Sequence, residues 1–253
     1  MQAGFLKENR MAIGIVDSGI GGYSIAREVH ECSMVDIVFL ADQKHIPYGE
    51  RRKEDLLLIM KENLKWFQSM NISEVLIACN TASTLISELS MSFPDMKLYG
   101  VIDITSKQFE KISVDKLLVL ATSMTVDSGC YQQLLSCYMP KTKLFFEKCP
   151  GLVELIEANS DTNTIKAYFD EHFNGYKESG IAVLFACTHF PLLHQQFHDY
   201  LKGASFDSFE CSKELFSSYK GNQEFLVYTS GNPEYLMQQI KSLFNDEIVG
   251  IQK

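Results

Sequence analysis

No apolar run in this chain approaches the roughly 20 residues needed to cross a bilayer, so no helical membrane span is expected. The opening stretch, MQAGFLKENRMAIGIVDSG, lacks a long hydrophobic segment followed by a small-residue cleavage site, so no signal peptide is expected either. Residues 1–10 read instead as a short polar prefix, with Met11 as a second candidate start. Zinc-type spacing is missing too. Seven cysteines stand at 32, 79, 130, 137, 149, 187 and 211, an odd number with no C-x-x-C and no Cys/His pair at ligand spacing. That pattern calls for free thiols, no metal and a cytoplasmic setting. Basic residues are outnumbered, 23 Lys and Arg against 32 Asp and Glu, and the net charge of -9 argues against a nucleic-acid or anionic-membrane surface. Low-complexity tracts and an obvious interdomain linker are also absent.

What is present is a chain of 253 residues, 46% apolar and 22% charged, enough for one large domain or two of ordinary size. Short apolar runs recur, each followed by a turn and a helical pattern. AIGIVD (12–17) leads into SGIGGYSIAREVHE, and DIVFLAD (36–42) precedes RRKEDLLLIMKENLKWFQSM, where Leu56, Leu57, Ile59, Met60, Leu64 and Phe67 form one stripe. EVLIAC (74–79), KLYGVID (97–103), KLLVLAT (116–122), KLFFEKC (143–149) and IAVLFAC (181–187) continue the rhythm. Near the end, FLVYTSGNPEYLMQQIKSLF (225–244) reads as a strand and a helix whose start is marked by Ser230, Gly231, Asn232 and Pro233. Strands of four to seven apolar residues alternating with helices imply an α/β fold with parallel sheets.

Two of these segments echo each other. VLIACNTASTL (75–85) and VLFACTHFPLL (183–193) align as V-L-apolar-A-C-polar-polar, each opening a helix. A cysteine that only fills space sits among apolar neighbours, whereas these two end a strand and meet polar groups. In a parallel sheet, ligands bind beyond the carboxyl ends of the strands. Cys79 and Cys187 are therefore expected at such ends, beside helix N-termini whose partial positive charge lowers a thiol pKa. Two similar halves facing each other would bring both thiols to one cleft.

Other motifs carry less information. GIVDSGIGG (14–22) fails the G-x-G-x-x-G dinucleotide pattern, because Ser24 takes the place of the last glycine. Asp17 in that turn is either a helix cap or a carboxylate that assists Cys79. HIPYGE (45–50) reads as a structural turn, and His172, His194 and His198 have ordinary amphipathic settings. His189, two residues after Cys187, is placed to act as an acid/base partner of that thiol.

Cys79-Asn80-Thr81-Ala82-Ser83 and Cys187-Thr188-His189-Phe190-Pro191-Leu192-Leu193 closely resemble the two signature segments of the glutamate racemases, within the aspartate/glutamate racemase superfamily. Asp17-Ser18-Gly19 with Gly21-Gly22, Pro47-Tyr48-Gly49, Thr122 and Thr125 before Ser128 and Tyr131, Cys149-Pro150 and Asp207-Ser208 follow in the family's order, so the resemblance spans nearly the whole chain. His189 stands where aspartate racemases usually carry Glu. The chain departs from the family pattern at Asp103-Ile104, where Glu-Pro is common, and at Ala41, Ala186 and Phe190.

The resemblance implies two similar three-layer α/β domains with mainly parallel sheets and an active site in the cleft between them. The first domain would comprise residues 1–102 plus 209–253, the second 103–208. It further implies cofactor-independent interconversion of L- and D-glutamate in peptidoglycan synthesis, with Cys79 acting on the D-enantiomer and Cys187 on the L-enantiomer. Asp17 and His189 would assist these thiols. Asp17, Ser18, Pro47, Tyr48, Gly49, Asn80, Thr81, Thr122, Thr125, Thr188 and His189 would hold the substrate. Glutamate is the one partner required, and a homodimer is allowed. Two rivals remain open on sequence alone: an aspartate or broad-specificity amino-acid racemase, and a non-catalytic binding or inhibitor protein on the same scaffold.

Overall fold

The computed structural model describes residues 12–248; the polar prefix and Met11 lie outside the described residues, as do positions 249–253. The first sheet begins with β1 (Ala12–Asp17), followed by helix α1 (Ile20–Cys32), β2 (Asp36–Ala41) and α2 (Lys53–Ser69). β3 (Glu74–Ile77) then leads through α3 (Asn80–Ser83) and α4 (Ile86–Ser92) to β4 (Lys97–Gly100). KLYGVID is therefore strand only as far as Gly100, and α5 (Val101–Lys107) takes over as the connection to the second sheet.

That second sheet opens with β5 (Lys116–Ala121), α6 (Ser123–Asp127) and α7 (Cys130–Tyr138), then β6 (Lys143–Lys148), α8 (Leu152–Glu157) and α9 (Thr162–His172). β7 (Ala182–Ala186), α10 (His194–Leu201) and a two-residue β8 (Ser205–Phe206) complete it. The chain returns through α11 (Phe209–Phe216) to β9 (Phe225–Thr229) in the first sheet and ends in α12 (Pro233–Phe244). Asn232 caps α12 by accepting from the backbone N–H groups of Glu234 and Tyr235, with Pro233 in the first turn.

The strand orders are β4-β3-β1-β2-β9 and β6-β5-β7-β8, and every strand pairing among the described residues is parallel. β1, β2 and β7 are buried almost end to end because helices cover both faces of each sheet, which explains their unbroken apolar runs. Each sheet thus has two cores. Ile13, Ile15 and Phe39 face α1 and α11, while Val16, Val75 and Ile77 face α2 and α4. Of the stripe read along α2, Leu56, Met60, Leu64 and Phe67 are fully buried, with Leu57 and Ile59 at its margins.

The two sheets share a topological feature that positions everything below. In the first, the chain moves from β1 to β2 on one side and then crosses to β3 on the other. In the second it moves from β5 to β6 and then crosses to β7. Both reversals leave a crevice at the carboxyl ends of two adjacent strands, where helices depart in opposite directions and cannot fill the gap. Asp17 ends β1 and Cys79 follows β3, and Thr122 and Cys187 follow β5 and β7. The two echoing segments therefore occupy equivalent places in the two sheets. The helical expectation after Cys187 needs correction: Phe190–Leu193 forms a 3-10 turn with Pro191 in its first turn, and α10 starts only at His194.

Candidate active site

The four strand ends meet around one small cavity of about 10 Å³, room for a single water. Ser18 follows β1; Cys79, Asn80 and Thr81 follow β3; Thr122 follows β5; and Cys187, Thr188 and His189 follow β7. Pro47, Tyr48 and Gly49 close one side and Val153 another. Both sulfurs thus line the same space. Asp17 and Thr125 stand immediately behind the lining: Asp17 accepts from Thr188 Oγ1 at 3.1 Å, and Thr125 Oγ1 lies 3.3 Å from Thr81 Oγ1 and 2.9 Å from Thr122 Oγ1.

Close backbone approach is built into the sequence. A Cβ on Gly21, in the first turn of α1, would fall 2.5 Å from Thr188 Oγ1 and 2.8 Å from the Thr188 carbonyl carbon. Only glycine lets the start of α1 pack on the Cys187 segment. Hydrogen bonds between the halves add to this contact. Thr81 Oγ1 and Thr122 Oγ1 are 2.9 Å apart, and Tyr131 donates to Asn80 Oδ1 at 2.6 Å.

The Asp17 carboxylate holds the turn before α1, whose N-cap position is Gly19 with no side-chain cap. Its Oδ1 accepts from Gly19 N–H at 3.0 Å, while its Oδ2 faces Thr188. Burial pushes its carboxyl upward, opposed by the charge of His189.

The two thiols have different surroundings. Cys79 directly precedes α3 and receives backbone N–H groups from Thr81 and Ala82, yet its pKa rises well above the ordinary thiol value. Burial is the main cause and the Asp17 carboxylate adds to it. The expected lowering by a helix N-terminus is therefore overturned at Cys79, because a four-residue helix offers too little to offset desolvation and an adjacent anion. Beside Cys187 the charge has the opposite sign. His189 Nδ1 lies 3.9 Å from Cys187 Sγ, and His189 Nε2 lies 2.7 Å from Glu157 Oε1. Burial works to discharge this imidazole, but hydrogen bonding to Cys187 and Glu157 outweighs it and holds the pKa well above the usual histidine value. Burial likewise opposes ionisation of Glu157, and His189 prevails in keeping its carboxyl low. The couple is an imidazolium–carboxylate pair.

Glu157 is the functional residue that sequence reasoning missed. In GLVELIEAN it resembles any solvated helix glutamate, and nothing local marks it. In the fold it joins the two halves: it accepts from Ile20 N–H at 3.2 Å and from Gln239 Nε2 at 2.5 Å, and its backbone carbonyl accepts from Tyr235 OH at 3.1 Å. Gln239 is oriented in turn by Gln43 Nε2, 2.7 Å from its Oε1. Asp42 went unnoticed as well. It accepts from Tyr48 OH at 2.6 Å, Asn63 at 3.2 Å and Ser230 at 2.5 Å, with the His45 ring at 2.9 Å. Burial favours a neutral carboxyl there, and these donors overcome it. Because Asn63 also donates to Tyr48 OH at 3.1 Å, the phenol is committed to this network. HIPYGE is thus both a structural turn and one wall of the cavity.

A parallel α/β scaffold in two halves thus brings one thiol from each to a shared buried cavity. The sequence profile described as Asp/Glu/Hydantoin racemase matches residues 24–212. A curated glutamate racemase from Aquifex aeolicus is 29% identical over 246 residues, covering 94% of this chain and 96% of that one. One from Hydrogenobaculum sp. is 31% identical over 229 residues, covering 88% and 85%. The crystal structure of glutamate racemase from Campylobacter jejuni superposes with a TM-score of 0.82 at 27% identity, covering 93% of this chain and 98% of that one. The chain belongs to the Asp/Glu/hydantoin racemase family. It is an enzyme of the racemase class. No helix among the described residues is long and apolar enough to cross a membrane.

Proposed function

We propose that this chain interconverts L- and D-glutamate, without a cofactor, by a two-base mechanism in which Cys79 and Cys187 address opposite faces of the α-carbon. The observation that carries the reading is the presence of both sulfurs, from equivalent strand ends of two sheets, in the lining of one cavity. The α-proton of an amino acid is weakly acidic because the neighbouring carboxylate is already anionic. A site lacking an electron sink must stabilise the developing dianion with preorganised donors. Asn80, Thr81, Thr122 and the backbone N–H groups after Cys79 suit that task, with Ser18, Gly49, Thr125 and Thr188 completing the hold on the substrate.

In one direction a Cys187 thiolate removes the α-proton of L-glutamate, forming S–H as C–H breaks. The Cys79 thiol then delivers its proton to the other face, leaving a thiolate there. The reverse sequence converts D-glutamate, and no net oxidation occurs. His189, charged and held by Glu157, stabilises the Cys187 thiolate. Asp17, near Cys79, pairs with the substrate's ammonium, and that ammonium offsets the burial and anionic charge that keep the Cys79 thiol protonated. Space for one water cannot hold glutamate, so entry requires the two halves to part. The product would supply D-glutamate for peptidoglycan from the cytoplasm, and the acidic surface requires no nucleic acid or membrane partner.

The test is L-glutamate in deuterated water with the parent enzyme, Cys79→Ser and Cys187→Ser. The parent racemises and places deuterium at the α-carbon. Each single variant loses racemisation by at least about 10²–10⁴-fold, the usual contribution of one acid–base group, yet retains slow exchange on one enantiomer. A variant that racemises at the parent rate overturns the two-sulfur assignment. Parallel incubation with L-aspartate tests the broader substrate reading, and absence of any deuterium uptake by the parent would leave only the binding-protein alternative.

A further inference from the structure

We propose that Tyr131 is a positioning residue that fixes the side-chain amide of Asn80 with its oxygen turned away from the substrate and its NH2 group left for it. The inference rests on the glutamate-racemase reading above and adds a residue to it. Asn80 lines the cavity and is 2% exposed. Its Oδ1 accepts from the Tyr131 hydroxyl at 2.6 Å, while its Nδ2 is buried and has no hydrogen-bond partner among the described residues. A buried amide N–H without an acceptor is costly, and here the unpaired donor belongs to a residue of the cavity wall.

An asparagine amide is nearly symmetric in shape, so nothing steric stops it from turning by 180° and presenting its oxygen instead. An oxygen facing a substrate carboxylate would repel it. Tyr131 removes that choice by offering a donor on one side only. The phenol is 1% exposed, and its hydroxyl is committed to Asn80. This bond crosses the molecule: Tyr131 lies on α7 of the second half and Asn80 on α3 of the first. The amide is therefore set correctly only when the halves are closed on each other. This couples closure to substrate recognition.

The experiment compares the parent, Tyr131→Phe, Asn80→Ala and the double variant in glutamate racemisation, with side-chain amide resonances of Asn80 recorded on nitrogen-15-labelled protein. Tyr131→Phe is expected to lower kcat/KM by about 10- to 100-fold, the range for losing one hydrogen bond to a charged group, chiefly through KM. In the Asn80→Ala background the same change is expected to cost less than about 3-fold, because coupled residues are non-additive. The Asn80 amide pair should shift or broaden in Tyr131→Phe. Equal losses in both backgrounds, or a Tyr131→Phe enzyme within about 2-fold of the parent, overturn the proposal. If Tyr131→Phe does not fold, Asn80→Asp tests the same claim: it can still accept from Tyr131 but offers oxygen in place of the NH2 group. A loss of kcat/KM of at least about 10-fold is then expected, and activity within about 2-fold of the parent overturns the proposal. If the parent does not racemise glutamate, the functional reading falls by itself, and an unchanged Asn80 amide resonance in Tyr131→Phe remains the result that overturns this one.

Discussion

Glu157→Gln tests the charge state of the site most directly. In the parent, His189 is 2% exposed with Nε2 2.7 Å from Glu157 Oε1, and its pKa lies well above the ordinary value of about 6.5. A group raised in the folded state contributes its full stabilisation below the unfolded pKa and loses it as pH rises through the folded one. Parent stability from this group therefore grows as pH falls from about 7 to 5.5, because the unfolded chain has yet to take up the proton that the folded chain already holds. Glutamine keeps the shape but removes one of the partners that hold the charge, so burial weighs more heavily and the folded imidazole gives up part of its proton. Stability of the variant then gains less over the same window. One proton of difference amounts to about 1.4 kcal/mol per pH unit, so the gap widens by up to about 2 kcal/mol over that window. Cys187 Sγ lies 3.9 Å from the same ring and Asp17 faces it through Thr188, and both preserve part of the charge. The expected widening is thus about 1–2 kcal/mol for Glu157→Gln, and it moves toward the upper end when Asp17→Asn is added. For a protein of this size the difference in Tm between parent and variant should grow by about 2–8 °C. Urea or thermal melts of both proteins at the two pH values measure it. A gap that stays constant or narrows on acidification refutes the charged pair.

Asp17→Asn removes the anion that helps to raise the Cys79 thiol, so alkylation of Cys79 by iodoacetamide at about pH 8 should become severalfold faster even as racemisation falls; slower alkylation would show that Asp17 does not act on this sulfur. Gly21→Ala drives a methyl group against Thr188 and His189 and should lower kcat/KM by about 100-fold through misplacement of the Cys187 segment, at a stability cost of about 1–3 kcal/mol measured by urea midpoint. Parent-level activity in Gly21→Ala would mean that the contact does not set the site.

The parallel sheets were legible because a strand buried on both faces must be apolar throughout, and AIGIVD, DIVFLA and AVLFA meet that demand without tertiary information. The echo between residues 75–85 and 183–193 was legible for a related reason. Two equivalent crevices at strand ends impose the same change from apolar to polar, with a cysteine at the boundary. Less regular pieces gave no such signal. Val101 continues an apolar run but begins a helix, because β4 lies at the sheet edge and the chain must leave it there. Residues 162–172 and 209–216 form helices whose stripes were not separated from the surrounding polar sequence. Glu157, Asp42 and Gln239 could not be distinguished from surface polar residues, since their importance lies in long-range partners: Gln239 stands 82 positions from Glu157 and Ser230 stands 188 from Asp42. The pKa expectation at Cys79 failed because a local motif supplies the donors but says nothing about burial or about Asp17 across the crevice.

That failure bears on how two unlike thiols can serve one reversible reaction. Cys79 faces a carboxylate and stays protonated, whereas Cys187 faces an imidazolium that a second carboxylate holds in place. Mirror-image substrates on their own would call for two sulfurs held identically. Yet the backbone around them is only pseudo-symmetric, and the substrate itself is asymmetric, with an ammonium on one side of the α-carbon and a carboxylate on another. In the proposed mechanism the ammonium lies nearer Asp17, which supplies the positive charge that the Cys79 side lacks, while His189 supplies it permanently on the Cys187 side. Since L- and D-glutamate are equal in free energy, kcat/KM must be equal in the two directions for the parent and for every variant. Unequal thiols therefore cannot favour one product; they bear only on the resting state before substrate arrives, in which burial and the Asp17 carboxylate hold Cys79 as the thiol.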